Sequence, residues 1–599
     1  MDRIDRDRIE TVLRRIPAAS WKAFIGSRDG GWLRHRIGAV DDALDDLRSA
    51  AARPSDGFAA RIADLLGYSL MQDPHCGPWI REQLLRKASR PTWDGLLANY
   101  SALSSSKTVA VRRNASRTGK VPASVAGYWL QGGSWARTFC ETFGLPDGVW
   151  QRREARLPED EDVVPSEPLP PLHDYQRSAY DRLRTLLTTR ARGKTALLSL
   201  PTGAGKTRVI VEAICDHLAE NADEGTNGVV LWIAHSTELQ LQAWECFREV
   251  WQVPPRRSAR ESPIRRVQPL RLVRLWGSRN PETIEDGVAG PEILVASIDQ
   301  LASWLRRDPT ILERMRSRNL LCAVIDEAHG VITNEFRHVL EALGLKAERR
   351  WLPRSGAPLL IGITATPWRK SDVQDAALHR FFSNHLVTSG ALGSKPVERL
   401  QKRGILSSVI QDRVRIDQIP YMTFKQMEHV VRFRDLPAEY LDKLANLATR
   451  NREILRRLVR LKASCKTLVF ACSIEHAETL AACLNSAIGP GVAVAVTSAT
   501  PRAERSLVIE QFRARGGTRF LCTVGVLAAG FDAPKVGAVV ITRPTMSAAL
   551  YEQMVGRGLR GPKNGGTETC RVIDVQDEGL PDGVLSYARV IERWATGKS

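Results

Sequence analysis

The chain has 599 residues, too many for one hydrophobic core, so two to four domains are expected. Its 43% hydrophobic and 26% charged residues are typical of a soluble globular protein, and the formal charge of +19 favours a polyanionic partner such as nucleic acid. The charged N-terminus has no apolar signal region behind it and no run is long enough to span a membrane, so we expect a cytoplasmic protein without a membrane partner. The ten cysteines are scattered without metal-ligand spacing, which predicts reduced, mostly buried thiols.

Residues 1–155 are predicted to form a mainly helical N-terminal domain, because apolar residues recur there at helical spacing. Seven of the fifteen tryptophans lie in this part, and residues 95–140 contain no acidic side chain. Arg112 and Arg113 belong to a basic, serine-rich loop, which beside aromatic residues is a candidate nucleic-acid contact. The alternative is that the tryptophans form a core and the loop is merely solvated, and the sequence leaves both interpretations open.

The stretch 156–171 is rich in proline and acidic residues and is predicted to be a linker. Beyond it, short apolar runs alternate with helical patterns in two successive series, which predicts an α/β fold with two parallel-sheet domains in tandem. The predicted boundaries are 172–385 for the first domain, 386–460 for a helical connecting segment and 461–599 for the second domain. The predicted strands are 196–200, 229–234, 293–296, 321–325 and 359–363, followed by 467–471, 492–496, 520–523, 536–542 and 572–575.

A turn of small residues follows the first predicted strand, with the sequence Thr202-Gly203-Ala204-Gly205-Lys206-Thr207. A strand, a glycine turn and a helix form the context of a phosphate-binding loop, in which backbone N–H groups and a helix N-terminus surround an anion. Lys206 is predicted to reach the β- and γ-phosphates of a nucleotide, and Thr207 to ligate Mg²⁺. Leu200 stands where the strict motif has its first glycine, so the turn alone leaves open an ordinary loop with a solvated lysine.

Two adjacent acids follow the predicted strand 321–325, in the sequence Asp326-Glu327-Ala328-His329. Asp326 suits the binding of Mg²⁺, directly or through water, and Glu327 suits a general base that activates the attacking water. A strand that ends in Asp-Glu is common by chance. Here, however, it lies 120 residues after Lys206 in the same predicted domain.

With these two motifs the chain resembles the superfamily-2 helicases and translocases of the DEAH type, whose other motifs occur here in the family's order. The resemblance implies two RecA-like domains that bind ATP and Mg²⁺. It implies that Gln176 binds the adenine base and that Asp532, in the segment 529–534, contacts the nucleotide. It further implies coupling of hydrolysis to strand movement by His329, Thr364 and Thr366, and nucleic-acid contacts by His235, Ser236, Ser297 and Gln300.

The stretch 553–560 is similar to the sixth motif of that family. Gln553, Arg557 and Arg560 are predicted to lie on one helix face, at positions i, i+4 and i+7. Across a cleft from the phosphate-binding loop, the two arginines would neutralise charge on the γ-phosphoryl group in the transition state. Because the site would be complete only when the two domains close, hydrolysis would be tied to domain motion.

The sequence Thr364-Ala365-Thr366-Pro367-Trp368-Arg369 resembles the corresponding motif in the branch of the superfamily that contains restriction-enzyme motor subunits and XPB-like DNA helicases. The implied function is an ATP-dependent DNA helicase or double-stranded DNA translocase, with a role in genome defence or repair. Two alternatives stay open: an RNA-stimulated helicase, and a nucleotide-switched recruitment subunit of a larger complex. Because few residues follow Asp574, a partner protein is expected to supply any nuclease.

Overall fold

The structure is a computed structural model and contains a helical N-terminal region and two α/β units. We call the described residues from 160 to 393 the first unit and those from 395 to 590 the second unit. The described residues are 3–44, 57–100, 121–150, 160–163, 171–189, 195–223, 228–252, 268–277, 290–345, 358–364, 378–382, 386–387, 392–393, 395–525 and 535–590, apart from 131, 319, 329–330, 332, 379, 499, 501 and 515.

The N-terminal region is helical, as the apolar spacing predicts. Of its tryptophans, Trp21, Trp93 and Trp135 are buried, and the other four pack half-buried against the same core. This favours the interpretation of these rings as core residues. The basic loop with Arg112 and Arg113 lies outside the described residues. The helices are α1 (Arg3–Leu13), α2 (Ala18–Gly26), α3 (Gly31–Leu44), α4 (Gly57–Leu66), α5 (Gly77–Lys87), α6 (Arg90–Tyr100), α7 (Val121–Ala126) and α8 (Ser134–Phe143).

The first unit is built on a sheet whose eight described strands follow the order β1-β4-β5-β3-β6-β7-β2-β8. All of these pairings are parallel except that of β1 with β4. The strands are β1 (Asp160–Val163), β2 (Thr195–Ser199), β3 (Val229–Ala234), β4 (Leu270–Leu275), β5 (Glu292–Ser297), β6 (Leu320–Ile325), β7 (Leu359–Thr364) and β8 (Leu386–Val387). The helices are α9 (Asp174–Thr188), α10 (Lys206–Asp223), α11 (Thr237–Trp251), α12 (Ile298–Arg307), α13 (Thr310–Ser317) and α14 (Asn334–Ala342).

The second unit is built on a sheet of six described strands in the order β11-β12-β10-β13-β14-β9, and all of their pairings are parallel. The chain therefore contains two parallel RecA-like sheets in tandem, as predicted. The strands are β9 (Ser408–Ile416), β10 (Lys466–Phe470), β11 (Ala493–Val496), β12 (Phe520–Thr523), β13 (Val536–Ile541) and β14 (Thr569–Asp577). The helices are α15 (Pro396–Lys402), α16 (Phe424–Phe433), α17 (Ala438–Ala445), α18 (Ala448–Val459), α19 (Ile474–Ile488), α20 (Arg502–Arg513) and α21 (Ala548–Gly556).

Four described strands, β1, β4, β8 and β9, were not predicted, and the longest and the first of them are informative. Residues 160–163, within the predicted linker 156–171, form β1 and pair antiparallel with β4. Residues 408–416, within the predicted helical connection 386–460, form β9 and pair along their whole length with β14. Both strands lie at sheet edges, where one side is solvated and charged side chains are accepted, so neither shows the continuous apolar run of a buried strand.

The N-terminal region packs on the second unit, although the first unit follows it in sequence. Helices α3 and α4 lie against α19, and the buried core of the N-terminal region is continuous with that of the second sheet. Arg36 is 4% exposed, and its Nη2 pairs with Glu478 Oε2 at 2.6 Å. Arg452 Nη2 donates a hydrogen bond to the Asp42 carbonyl oxygen at 3.2 Å. The apolar contact attaches the N-terminal helices to the second unit, and motion of that unit would carry them along.

The ten cysteines are all described and are free thiols, and eight of them are buried. Burial raises the pKa of Cys322 and of Cys522 to about 12, so these thiols are protonated and unreactive at neutral pH. Among the described helices, none has the length and apolar character that crossing a membrane requires.

Candidate nucleotide site between the two units

The phosphate-binding loop joins the end of β2 to the start of α10. Gly203 and Gly205 have φ angles of 80° and 79°, in the left-handed region that favours glycine. A Cβ at Gly205 would lie 2.5 Å from Gln176 Nε2, so a side chain there would displace the Gln176 amide. Lys206 and Thr207 are the first two residues of α10, so the free N–H groups of its first turn adjoin the loop. This arrangement suits an anion such as a phosphate.

Helix α9 holds the loop from the side. Gln176 is 7% exposed; its Nε2 donates a hydrogen bond to the Ala204 carbonyl oxygen at 3.0 Å, and its Oε1 accepts one from the His173 N–H at 2.9 Å. The Tyr175 hydroxyl donates to the same Ala204 oxygen at 2.9 Å. The nitrogen and the oxygen of the Gln176 side-chain amide therefore both form hydrogen bonds to the protein backbone in this structure. Its contact with adenine, which the family resemblance implies, stays a prediction.

The two acids lie at the same edge of the sheet as the loop. The Asp326 N–H donates to the Ile233 carbonyl oxygen at 2.9 Å, which extends the pairing of β6 with β3 by one residue. Glu327 has a φ of 50°, a backbone conformation that residues other than glycine rarely adopt and that costs about 1–3 kcal/mol. Its N–H donates to Asp326 Oδ1 at 3.0 Å. Such local strain in a well-packed region is characteristic of functional sites.

Charges from both units meet around Lys206. Burial lowers the pKa of Lys206, although the carboxylates of Glu327 and Asp326 oppose this, and the nearby Arg557 lowers it further. Burial raises the pKa of Asp326 to about 7, and the adjacent Glu327 carboxylate adds to that rise. Lys206 and Arg557 counteract the rise by favouring the ionised carboxylate.

Two buried oxygens at this edge fit a bound cation and phosphate. Asp326 Oδ2 and Thr202 Oγ1 are buried and have no hydrogen-bond partner among the described residues. A buried polar atom without a partner is costly, and ligation of Mg²⁺ or of a nucleotide phosphate would satisfy both atoms. Thr207, half-buried at the start of α10, offers a hydroxyl on the same side. The residues present therefore fit Mg²⁺ with a nucleotide.

The end of α21 in the second unit lies directly on the phosphate-binding loop. A Cβ at Gly556 would lie 2.1 Å from Thr202 Cγ2 and 2.7 Å from Thr202 Cβ, so only glycine permits this approach. Leu406 covers the other side of the loop, because its Cδ2 is 3.1 Å from a Cβ built at Gly203. Arg557, which follows Gly556, is thereby brought into electrostatic reach of Lys206.

The predicted helix face of Gln553, Arg557 and Arg560 is wrong. Helix α21 contains Gln553 but ends at Gly556, with Arg557 as its C-cap. Arg560 lies beyond the helix in an isolated bridge with Leu406, and its carbonyl oxygen accepts a hydrogen bond from the Ser407 hydroxyl at 2.7 Å. Beyond the helix end, Gly558 packs on β14, where a Cβ would lie 2.3 Å from Cys570 Sγ.

The other predicted residues lie along the carboxyl edge of the first sheet or outside the described residues. Thr364 is fully buried at the end of β7. His235 is exposed, and the Ser236 side chain accepts a hydrogen bond from Leu239 N, which caps α11. Ser297 ends β5 beside Ala234, and Gln300 is half-buried in α12. The predicted site residues outside the described residues are His329, Thr366, Asp532, Arg112 and Arg113.

Sequence reasoning missed two residues of the second unit at this site. Glu552 is 5% exposed and lies close enough to raise the pKa of Lys206. Leu406 belongs to the predicted connecting segment yet touches the loop. Neither has a sequence signal, because both reach the site only through the packing of one unit on the other.

Polar side chains also bridge the two units away from the loop. Arg505 of α20 pairs with Glu238 of α11. Arg403 pairs with Asp174 at the start of α9. Pairs of this kind, which are partly solvated, contribute at most about 1 kcal/mol each, so they permit reversible separation of the units.

Comparison with known proteins identifies the family. Residues 169–369 match the family model described as the res subunit of type III restriction enzymes, and residues 450–561 match that of the helicase conserved C-terminal domain. The putative ATP-dependent helicase IRC3 of Saccharomyces cerevisiae is 26% identical over 415 residues, which cover 68% of this chain and 51% of that protein. The putative mitochondrial ATP-dependent helicase irc3 of Schizosaccharomyces pombe is 25% identical over 399 residues, which cover 63% and 53% of the two chains.

The two family matches lie on the two units whose facing surfaces form the site. The chain belongs to superfamily 2 of the helicases, a family of ATP-dependent enzymes. Within that superfamily it is related to the motor subunits of restriction enzymes. The chain spans about half the length of the curated relatives it matches. Among solved structures, a fragment of a putative HsdR subunit of a type I restriction enzyme from Vibrio vulnificus YJ016 is 20% identical, with a TM-score of 0.43 over 69% of this chain and 67% of that one.

Proposed function

We propose that this protein is an ATP-dependent DNA helicase or double-stranded DNA translocase that couples ATP hydrolysis to movement on DNA. The observation that carries the proposal is the contact between Gly556 at the end of α21 and Thr202 in the phosphate-binding loop. This contact would assemble one nucleotide site from two units. A site that is complete only when two units meet converts hydrolysis into a change of their relative position.

The residues of the first unit would bind the nucleotide and accept a proton from the attacking water. Backbone N–H groups of the loop and Lys206 would bind the phosphates, and Thr207 and Asp326 would hold Mg²⁺. When bound, Mg²⁺–ATP supplies the γ-phosphoryl group that is transferred to water. The Glu327 carboxylate would accept the proton of that water as general base.

The residues of the second unit would supply positive charge to the γ-phosphoryl group. Arg557 would neutralise negative charge that develops on the γ-phosphoryl group, while Arg560 and Gln553 flank it on the same segment. Because Arg557 belongs to the other unit, it would act only when the units are in contact. Hydrolysis of ATP and release of the products would then let the two units separate.

Duplex DNA is the proposed partner, bound mainly through its phosphates. His235, Ser236, Ser297 and Gln300 lie along one sheet edge, where open α/β sheets bind ligands. The formal charge of +19 for the whole chain supports a polyanionic partner, and binding through phosphates would be independent of sequence and weakened steeply by salt. A cytoplasmic role in genome defence or repair, together with nuclease, defence or repair proteins as partners, is proposed by analogy with restriction-enzyme motors.

Steady-state ATP hydrolysis tests this proposal. Turnover is measured at fixed low salt without nucleic acid, then with duplex DNA, single-stranded DNA and RNA, beside a Glu327→Gln control. Strong stimulation by DNA that is lost in the control is the expected result. Stimulation by RNA well above that by DNA would establish the RNA-stimulated helicase instead. Low turnover that no nucleic acid changes, combined with tight ATP-dependent DNA binding, would establish a nucleotide-switched recruitment subunit.

A further inference from the structure

Helix α16 and the short segment 421–423 before it carry an exposed apolar surface that is not part of the nucleotide site. We call the side chains of Tyr421, Phe424, Met427, Val431 and Phe433 the aromatic ridge. They account for five of the ten exposed large hydrophobic residues in the described part of the chain. Tyr421 is 96% exposed and Phe424 is 87% exposed. Clusters of this kind on a protein surface mark interaction sites.

The ridge is held by a well-formed helix. The Thr423 side chain accepts a hydrogen bond from the Gln426 N–H at 3.3 Å, and the Gln426 side chain accepts one from the Thr423 N–H at 3.0 Å, which forms a capping box. Phe424, Met427 and Val431 share one helix face at positions i, i+3 and i+7, and Phe433, at i+9, lies on another face at the helix end. On the other side of the helix, Gln426 and Val430 are buried in the second unit. The exposed face is therefore anchored from behind and free in front.

The ridge lies at the carboxyl edge of the second sheet. The chain enters it from the carboxyl end of β9, which is parallel to β14. Val430 belongs to the same small core as Cys472, which follows β10 at the same edge. Ligands of open α/β sheets bind at this edge.

Basic side chains outnumber acidic ones along α16 and the residue after it. Lys425, Arg432 and Arg434 are exposed on or directly after α16, against one exposed acid, Glu428. The Arg432 guanidinium carbon lies 5.1 Å from the Phe433 ring centroid, and the His429 ring centroid lies 4.6 Å from the same ring. Exposed rings that alternate with cations suit nucleic-acid bases, which stack on the rings while the cations contact phosphates.

We propose that the aromatic ridge binds unpaired bases of single-stranded nucleic acid as the protein moves. This inference rests on the proposed motor function and deepens it, because a stacking surface is useful only where strands are separated. It therefore adds contact with separated strands to the proposed movement on DNA. Met427 and Val431 extend the rings as an apolar wedge of the type that proteins insert between base steps. The basic neighbours favour nucleic acid over an apolar protein helix as the occupant.

Fluorescence anisotropy with the full chain tests the inference. A labelled single-stranded DNA and the corresponding RNA are titrated with wild type and with the Tyr421→Ala, Phe424→Ala double variant at several salt concentrations. Loss of stacking is expected to weaken single-strand binding by about five- to hundredfold. The ratio of the dissociation constants of the double variant and wild type should persist as salt rises, because salt does not screen stacking as it screens phosphate contacts. Ile488→Ala, which truncates another exposed apolar residue of the second unit, is the matched control and should bind as wild type.

Two further variants separate stacking from apolar docking. Phe424→Trp retains a π face and should retain affinity, whereas Phe424→Leu retains an apolar side chain and should lose it. Equal affinity of wild type and the double variant, in a wild type that binds single strands and is stimulated by DNA, would overturn this inference alone. A wild type that neither binds nor responds to nucleic acid would overturn the proposed function and the inference together. A change of the double variant from dimer to monomer in solution would replace the inference with self-association.

Discussion

Substitution of Gly556 by alanine tests whether the contact between the two units is the catalytic arrangement. The new Cβ would lie 2.1 Å from Thr202 Cγ2 and 2.7 Å from Thr202 Cβ. Carbon atoms in contact are separated by about 3.5–4.0 Å, so the end of α21 must move by about 1 Å or more. Rotation of the Thr202 side chain cannot relieve the clash, because its Cβ is fixed to the backbone. A misplacement of about 1 Å can cost about 100-fold in rate, so we expect kcat to fall about 100-fold.

The expected signature is a loss of turnover without a comparable loss of nucleotide affinity. The phosphate-binding loop belongs to the first unit, so the nucleotide Kd measured by fluorescence titration should change by less than about threefold. The melting temperature should change little, because the clash lies between units rather than inside either core. Gly38→Ala in α3 is the matched control, since a Cβ there meets no atom within 4 Å. Wild-type turnover in Gly556→Ala would refute the view that this contact is the catalytic arrangement.

Three further substitutions test the site and the second unit. Glu327→Gln should bind ATP but fail to hydrolyse it, so nucleic acid retained with ATP should exceed that of wild type in a filter-binding assay; normal turnover would argue against its role as base. Arg557→Ala should lower kcat more than nucleotide affinity, because the charge it neutralises develops in the transition state, and a pure loss of affinity in stopped-flow binding would argue otherwise. Burial lowers the pKa of His476 to about 3 from an ordinary value near 6.5, with Asn451 Oδ1, the Cys472 N–H and Arg450 around its ring. The unfolded chain then binds a proton that the folded chain does not, so stability is lost as pH falls below about 6.5, by about 1 kcal/mol at pH 5.5. His476→Gln should flatten this part of the melting-temperature profile, and an unchanged slope would contradict the assignment.

The central strands could be predicted from the sequence because burial on both faces demands an apolar run. The runs 229–234 and 520–523 coincide with β3 and β12. The strands that were missed lie at or next to sheet edges, where polar residues are accepted. In β4, Arg271 and Arg274 interrupt the apolar pattern, and in β9 charged residues alternate with apolar ones. Such patterns are weak signals until the neighbouring strand is known.

The candidate nucleotide site was predictable in the first unit and only partly in the second. Gly203, Lys206, Asp326 and Glu327 belong to short segments whose spacing is fixed by local chemistry. The end of α21 was not predictable, because Gly558 packs closely on Cys570 just beyond it and a sequence periodicity does not reveal such a contact. The attachment of the N-terminal helices to the second unit was also missed, since it depends on contacts between segments more than 400 residues apart, such as Arg36 with Glu478.

Displacement of a third strand from duplex DNA tests the central claim most directly. A labelled triplex-forming oligonucleotide is annealed within a linear duplex, and its release is followed after addition of the full-length protein. The account predicts release with ATP and no release with a non-hydrolysable analogue or in Glu327→Gln, because movement requires repeated contact and separation of the two units. Stimulated ATP hydrolysis without displacement of the third strand, and without unwinding of a tailed duplex, would contradict the claim that this protein moves along DNA.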